Sequence, residues 1–456
     1  VEKRLPGIVV NSYGYANFSL SIMLSLGTMY YMKFLTDTAM ISAALAGGIM
    51  LIGGGLDTAS IFISGSIIQK TQMRWGRFRS WFLFIPITTS LFFTLSFTNL
   101  PLSNTLKVIY LTVAYIIGHV SLNFAFNAHI GFISVLTKDA GERLRLSVRN
   151  IQFGMASQIF FSLGIINLLE YLKVKLNPTL AFIYVVVILS IIQIIGYWNL
   201  FYQTKGYEKF DPNLNTAPSS KMTLLEIIKQ IMSNSQLLLL MASDVMNQTM
   251  LFSIMGLAIY FLDNIAGNAA WMSTHTLVTS ILSFITAVYA PYVIRLFGKK
   301  NTYIIAMAWG SAFYFVLRLF GELSVIHFTV IICLGNMIFG TAGPMRQAMY
   351  MDAAEYGFYK TGKDASAFTM SMFTLPIKIG ITLSGAIIGF GLSLIGYTAG
   401  TVVTEAVADN LMDIICYIPA GCGIIAMALM FFYKLNDKNL VKIMESNNLK
   451  RAGAKQ

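Results

Sequence analysis

Asp57, Asp244, Arg149 and Lys378 are ionisable residues set in largely apolar surroundings. Asp57 stands in "GGGLDTASIFISG", Asp244 in "LLLLMASDVMNQTMLF" and Lys378 in "MFTLPIKIGITLSG". An unpaired charge in hydrocarbon costs several kcal/mol, so each such group is expected to have a partner or a task. A lone carboxylate can carry a proton when burial favours its neutral form, and a neighbouring lysine reverses that preference. A guanidinium offers paired donors to sugar hydroxyls or to a carboxylate. Arg149 lies past Arg143 and Arg145, one to two turns into an apolar helix, and reads either as such a donor or as a gate salt bridge. Asp244, with Asn247 and Gln248 close by, reads equally as a substrate or proton group and as the partner of a basic residue. Lys378 sits too far from either end of its run to snorkel easily, and Pro376 before it is expected to loosen the helix.

Other groups suggest contacts that open and close. Lys33 and Asp37 are four residues apart at the outer end of the first apolar run, the spacing of an ion pair within one helix, although a pair between two halves is also open. Arg346, in "GTAGPMRQAMYMD", is followed by Asp352 and Glu355, read as loop residues and as partners in a gating salt bridge. Tyr13, Tyr30, Tyr31, Phe34 and Phe373 could stack on a sugar ring, against the plainer reading that they pack. His119, His129, His275 and His327 are scattered and form no metal motif; His129 shares a run with Asn127, and simple packing is the reading that leads. Cys333, Cys416 and Cys422 lie in apolar segments and read as inert packing residues.

The elements that must hold these residues are membrane helices. Of 456 residues, 56% are hydrophobic and only 11% charged, where a soluble domain carries roughly a quarter charged. The net charge of +12 sits in loops and ends, which argues for membrane topology and against a nucleic-acid partner. At about 20 residues per span, twelve spans are expected at 10–36, 41–68, 80–99, 106–136, 148–170, 178–202, 236–262, 269–296, 302–321, 324–350, 366–396 and 408–433. Basic residues precede the first apolar run as in a signal peptide, but that run continues to about Leu35 without a cleavage-type site and reads as a span. The polar stretch after residue 202 divides the chain into bundles at 1–204 and 223–435, with a linker at 205–222 and a basic tail at 436–456. The stretch 221–232, "KMTLLEIIKQIM", is amphipathic and reads as a surface helix. Lys70, Arg74, Arg77 and Arg79, then Lys138, Arg143 and Arg145, then Lys205, Lys209 and Lys221, Lys299 and Lys300, and Lys360 and Lys363 mark alternate loops as cytoplasmic. Both termini follow, against dissent from Lys107, Lys173 and Lys175. Basic turns at "MRWGRFRSW" and "FGKKN", and charged loops at "LTKDAGERLR" and "MDAAEYGFYKTGKDAS", echo between the halves. Two such six-helix halves make an all-α integral membrane protein of the major facilitator architecture, and a transporter the favoured class. No nucleophile–base motif, nucleotide loop or metal cluster points to an enzyme.

Several strings resemble the glycoside–pentoside–hexuronide:cation symporters: "NSYGYANF", "KFLTD", "DTASIFISG" and "MRWGRFRSW" in the first half, and "GKKNTYII", "DAAEYGFYKTGKDASAFTMSMFTLPIKIG" and "YKLNDKNLVKIM" in the second. The melibiose-carrier pattern of that family carries two acids, four residues apart on its second helix, that share the coupling ion. Here the first matches Asp57 and the second falls at Ile61; sugar-binding acids fall at Ser21 and Asn127, while Arg149 and Lys378 match the family's basic groups. With one acid in place of two, Na⁺ has too few charged oxygen ligands, so H⁺ is the expected coupling ion, through Asp57 with Lys378 as its counter-charge and Asp244 as a second candidate. The loss of acids beside retained bases favours an acidic solute, and the glucuronide-carrier branch fits. The resemblance thus implies a small-molecule solute held by Arg149, Lys378, Asn127 and Ser21, to which the sugar-stacking reading adds Tyr13 and Tyr31, with no cofactor, a multi-pass inner-membrane location in the lipid bilayer and a monomer. An uncoupled facilitator, or a carrier of a non-sugar anion or lysolipid-like amphiphile, is the alternative.

Overall fold

The computed structural model describes residues 4–71, 73–208, 232–320, 324–362, 369–370, 372–398 and 404–453. The linker read at 205–222 lies outside these residues from 209 onward, as do the surface helix read at 221–232 except for its last residue, Lys209, Lys221 and Lys363.

A chain in hydrocarbon must satisfy its peptide groups internally, and a helix does so within one segment. The described residues accordingly form α1 (Gly7–Lys33), α2 (Ala43–Lys70), α3 (Trp81–Ser96), α4 (Asn104–Leu136), α5 (Ala140–Phe160, continued through a π-helical turn, Phe161–Ile166, into a short helix, Asn167–Lys175), α6 (Pro178–Gln203), α7 (Ser235–Tyr260), α8 (Trp271–Phe297), α9 (Lys299–Leu319), α10 (Val325–Phe339), α11 (Ala342–Thr361), α12 (Leu375–Leu394), α13 (Glu405–Phe431) and α14 (Asp437–Gly453). Among the described residues, nine helices are long and apolar enough to cross a membrane. With α1 and the shorter apolar α3 and α10, they account for the twelve expected spans. Local chemistry sets several starts: the Leu180 N–H donates to the Asn177 side chain at 2.8 Å with Pro178 at the first position of α6, and the Glu142 N–H donates to Asp139 at 2.8 Å at the start of α5.

Four boundaries differ from the sequence reading. The fifth helix begins at Ala140, so Arg143 and Arg145 are helical and Arg149 is its tenth residue; the Asp139 cap recruits the polar stretch into the helix. The tenth span breaks at Gly340–Thr341, and α11 runs on to Thr361, which makes Asp352 and Glu355 helix residues, not loop residues. A 3-10 turn, Met372–Thr374, leads directly into α12, in which Pro376 is the second residue and Lys378 the fourth, so both stand near the start of the α-helix, where the proline needs no N–H partner. The basic tail contains α14, whose Leu440, Ile443 and Asn447 are buried at helical spacing. Asn447 donates to the carbonyl and carboxylate of Glu355 at 2.9 and 2.8 Å, and Lys450 to the Tyr359 carbonyl at 2.7 Å.

The described residues fall into two compact units. The first comprises Val1–Ala217, Leu262–Ser280 and Gly385–Thr404; the second comprises Pro218–Phe261, Ile281–Ser384 and Glu405–Gln456. In the first, α1 packs on α5 and α6, and α4 on α2 and α3. In the second, α13 packs on α7 and α9, and α9 also on α10. The turn between α2 and α3 is tied to the segment after α6. With Gly76 at φ +110°, the N–H groups of Arg77, Phe78 and Arg79 converge on the Glu208 carboxylate at 2.9–3.2 Å, a backbone nest for an anion. Arg79 donates to the Phe201 carbonyl at 2.9 and 2.7 Å and covers the Phe201 ring.

Within the first unit, α2 crosses the Gly385–Leu394 part of α12 backbone to backbone. A β-carbon on Gly47 would stand 3.2 Å from the Ala386 carbonyl and the Gly389 Cα, and one on Gly389 would collide with Gly47 and with the Ala43 carbonyl. Gly389→Val is therefore expected to lower the thermal unfolding midpoint of the purified protein, by an overpacking cost of about 1–3 kcal/mol. An unchanged midpoint in a fluorescence-monitored melt would mean that the two backbones can part freely.

Candidate functional site

The buried carboxylate of Asp57 faces α4. The Asn123 side-chain amide donates to Asp57 Oδ1 at 2.7 Å, to the Asp57 carbonyl at 2.8 Å and to Ser60 Oγ at 2.7 Å; Ser60 in turn donates to the Asp57 carbonyl. His119 Nδ1 lies 3.8 Å from Asp57 Oδ2, and its ring stacks beside Tyr115 at 4.0 Å between centroids. One turn further along α4, Asn127 donates to the Ile61 carbonyl at 3.1 Å and to Ser64 Oγ at 2.8 Å. His119, Asn123 and Asn127 recur every fourth residue, so one face of α4 carries a polar ladder that reads onto Asp57, Ser60 and Ser64 of α2. Lys378, read as the counter-charge of Asp57, belongs to the other unit, and its carbonyl accepts from Thr382 at 2.9 Å.

Asn127 also lines a cavity of about 530 Å³ with Gly65, Phe78, Gly131, Ser134 and Arg143, a volume in the range of small-molecule sites. On α5, Arg149 is half-buried, its stem against Gly14 of α1, and it makes no hydrogen bond or ion pair among the described residues. The half-buried Ser21 accepts at its carbonyl from Ser25. Tyr13 and Tyr31, read as sugar-stacking residues, are core residues instead. Tyr13 stacks on His129 at 4.0 Å and donates to the His129 carbonyl; Tyr31 stacks on Tyr115 at 4.9 Å and donates to the Leu111 carbonyl. Both are almost fully buried, because an aromatic body with a satisfied hydroxyl packs well between helices. His129 is likewise packed, 3.0 Å from the Asn150 side-chain oxygen.

Lys33 joins two carboxylates. Its Nζ lies 2.7 Å from Asp37 and 2.6 Å from Asp263, all in the first unit. Tyr397 donates to Asp37 at 3.1 Å; burial pushes its hydroxyl above the ordinary value, so it remains a donor. Asp37 lies in a π-helical turn, Phe34–Thr38, that follows α1, and Asp263 in another, Phe261–Ile265, that follows α7. Such turns are frequent at functional positions.

In the second unit Arg346 grips Asp244. Its Nε contacts Asp244 Oδ1, its Nη2 donates to Oδ2 at 2.7 Å, Tyr350 donates to the same oxygen at 3.2 Å, and Phe373 lies under the guanidinium at 4.7 Å. The expected Arg346 pairing with Asp352 or Glu355 is thus replaced. Asp352 pairs with Lys299, and Glu355 accepts from Asn447, since both acids sit further along α11. Asp244, read as a substrate or proton group or as a basic residue's partner, takes the last of these places.

The sequence matches the family model described as "MFS/sugar transport protein" over residues 12–437. The chain belongs to this family. The transporter is 27% identical to the uncharacterized symporter YjmB of Bacillus subtilis (strain 168), over 97% of this chain and 96% of that one. It is 23% identical to the glucuronide carrier protein homolog of Escherichia coli (strain K12), over 99% and 98%. A D-xylose–proton symporter of solved structure superposes with a TM-score of 0.64 at 14% identity, over 94% of this chain and 97% of that one, which shows the major facilitator fold.

Sequence reading of the transporter missed Asn123, His119, Asp263, Tyr350 and Tyr397. The four-residue recurrence in "HVSLNFAFN" could have found the first two, and the echo of "FLTD" by "FLD" the third. Breaking the buried Arg346–Asp244 pair on one side leaves an uncompensated charge, a loss of about 3–5 kcal/mol, whereas replacing both can be neutral. Arg346→Met and Asp244→Leu are each expected to melt well below the parent, with the double variant recovering most of the loss. A double variant less stable than either single one would show that the pair is not the unit of stability.

Proposed function

We propose that this transporter carries an acidic sugar-type solute, such as a glucuronide, across the inner membrane by alternating access, coupled to H⁺ at Asp57. The carrying observation is Arg149: a guanidinium without a protein partner among the described residues, on a helix next to a cavity that Asn127 and Arg143 line. A guanidinium with no protein partner is suited to a carboxylate or paired hydroxyls, and the similarity to a glucuronide carrier homolog supports the same class. Ile61 in place of a second acid weighs against Na⁺, whose site needs several charged oxygens. In this reading Arg149 and Asn127 meet the solute with Ser21 at its margin, and the Lys33–Asp37–Asp263 cluster is a latch that breaks and re-forms during the cycle. Loop lysines and arginines support cytoplasmic termini, and a single chain is the working unit.

The test is uptake of a labelled glucuronide and a neutral galactoside into proteoliposomes, with and without an inward proton gradient, alongside Asp57→Asn and Arg149→Gln. Gradient-driven glucuronide uptake that disappears in Asp57→Asn and falls at least about tenfold in Arg149→Gln is the expected result. Equal uptake with and without a gradient, unaffected by Asp57→Asn, would make the protein a facilitator. If neither sugar enters, the solute class is wrong.

A further inference from the structure

We propose that His119 and Asp57 act as one proton-binding pair, and that His119 supplies the second titratable group of the coupling site. The inference rests on the proton-coupled reading above. It starts from a vacancy in chemistry. One turn beyond Asp57, at Ile61, α2 offers no ionisable side chain, but α4 brings an imidazole to 3.8 Å from the carboxylate. Both side chains are buried, so neither can rely on bulk water to solvate its charge.

From α2 the pair is faced by Asp57 itself and Ser60; from α4 by Tyr115, whose ring stacks beside the imidazole, and by Asn123, which holds Oδ1 as an acceptor. From α3 the neighbour is Phe93, and α3 carries no ionisable residue at all. From α1 the imidazole Nε2 is approached at Gly27, and Tyr31 stacks on Tyr115. Asn123 leaves the Oδ2 side of the carboxylate turned to the imidazole.

Two groups this close titrate as a unit. With no proton the pair carries −1, as carboxylate and neutral imidazole. One proton taken from water makes it neutral overall, either as carboxylate with imidazolium or as carboxylic acid with imidazole, and the same proton leaves to water on the other side of the membrane. A buried site crosses the low-dielectric interior most readily when neutral, so the loaded pair is the form that returns or carries solute. Without the imidazole one of the pair's two proton acceptors is gone, so the same occupancy asks for a higher proton concentration.

Gradient-driven uptake of labelled glucuronide by the full chain in proteoliposomes, measured from about pH 5.5 to about pH 8.5, tests this. The parent protein is compared with His119→Gln and Asp57→Asn. The expected result is a midpoint of the gradient response displaced to lower pH by roughly one unit or more in His119→Gln, with the response lost in Asp57→Asn. A purely packing role for His119 lowers the maximum rate but leaves the midpoint in place. If His119→Gln does not reconstitute, His119→Asn replaces it, since that amide also takes up no proton and the same displacement is expected. A gradient response in the parent with an unmoved midpoint in the variants overturns the pair while leaving proton coupling standing. A parent with no gradient response overturns both.

Discussion

Hydrocarbon supplies no hydrogen bonds, and this constraint decides which side chains can travel into the membrane and whom they meet there. Asp57 meets Asn123, Ser60 and His119; Asp244 meets Arg346 and Tyr350; Lys33 meets Asp37 and Asp263. Each partnership joins helices that are distant in sequence, so satisfying charge and assembling the bundle are the same act. Arg149 departs from the pattern: half-buried, with its stem packed against Gly14, it meets no hydrogen-bond or ion-pair partner among the described residues.

The two carboxylates differ in what surrounds them, and so in what they can do. Asp244 is held on both oxygens by a guanidinium, with a phenol added and an aromatic ring beneath, an arrangement that fixes charge and geometry together. Asp57 is held by a neutral amide on one oxygen and faces a titratable ring on the other. The first arrangement suits a strut; the second leaves one oxygen of the carboxylate toward an imidazole. The Lys33 cluster lies between these cases, with one ammonium shared by two acids carried on helix extensions of the same kind.

The spans, and an Asp57 that is buried and partnered, were legible in the sequence because hydropathy and the cost of buried charge are local properties. Partnerships were not, since a helix reports which face is polar but not which helix will face it. His119 shows this well: alone it reads as a scattered histidine, and only the approach of α4 to α2 gives it a meaning. The misassigned Asp352 and Glu355 have another cause. Polar residues within a helix that leaves the apolar region look like a loop, because periodicity fades where both faces touch polar surroundings. The same blindness hid α14, whose buried face is only Leu440, Ile443 and Asn447.

Part of the crossing of α2 on the end of α12 is made by Gly47, Ala386 and Gly389, residues with little or no side chain, beside Met50 of α2 packed on Gly385. Most helix contacts freeze rotamers when they form and release them when they part, so each opening and closing carries an entropy change that must be compensated. Glycine and alanine have no rotamers to lose. Where Gly47, Ala386 and Gly389 meet, the seam forms without freezing a rotamer, and it excludes other groups by how closely the two backbones lie. A low entropic cost of assembly is what this stretch of the sequence supplies.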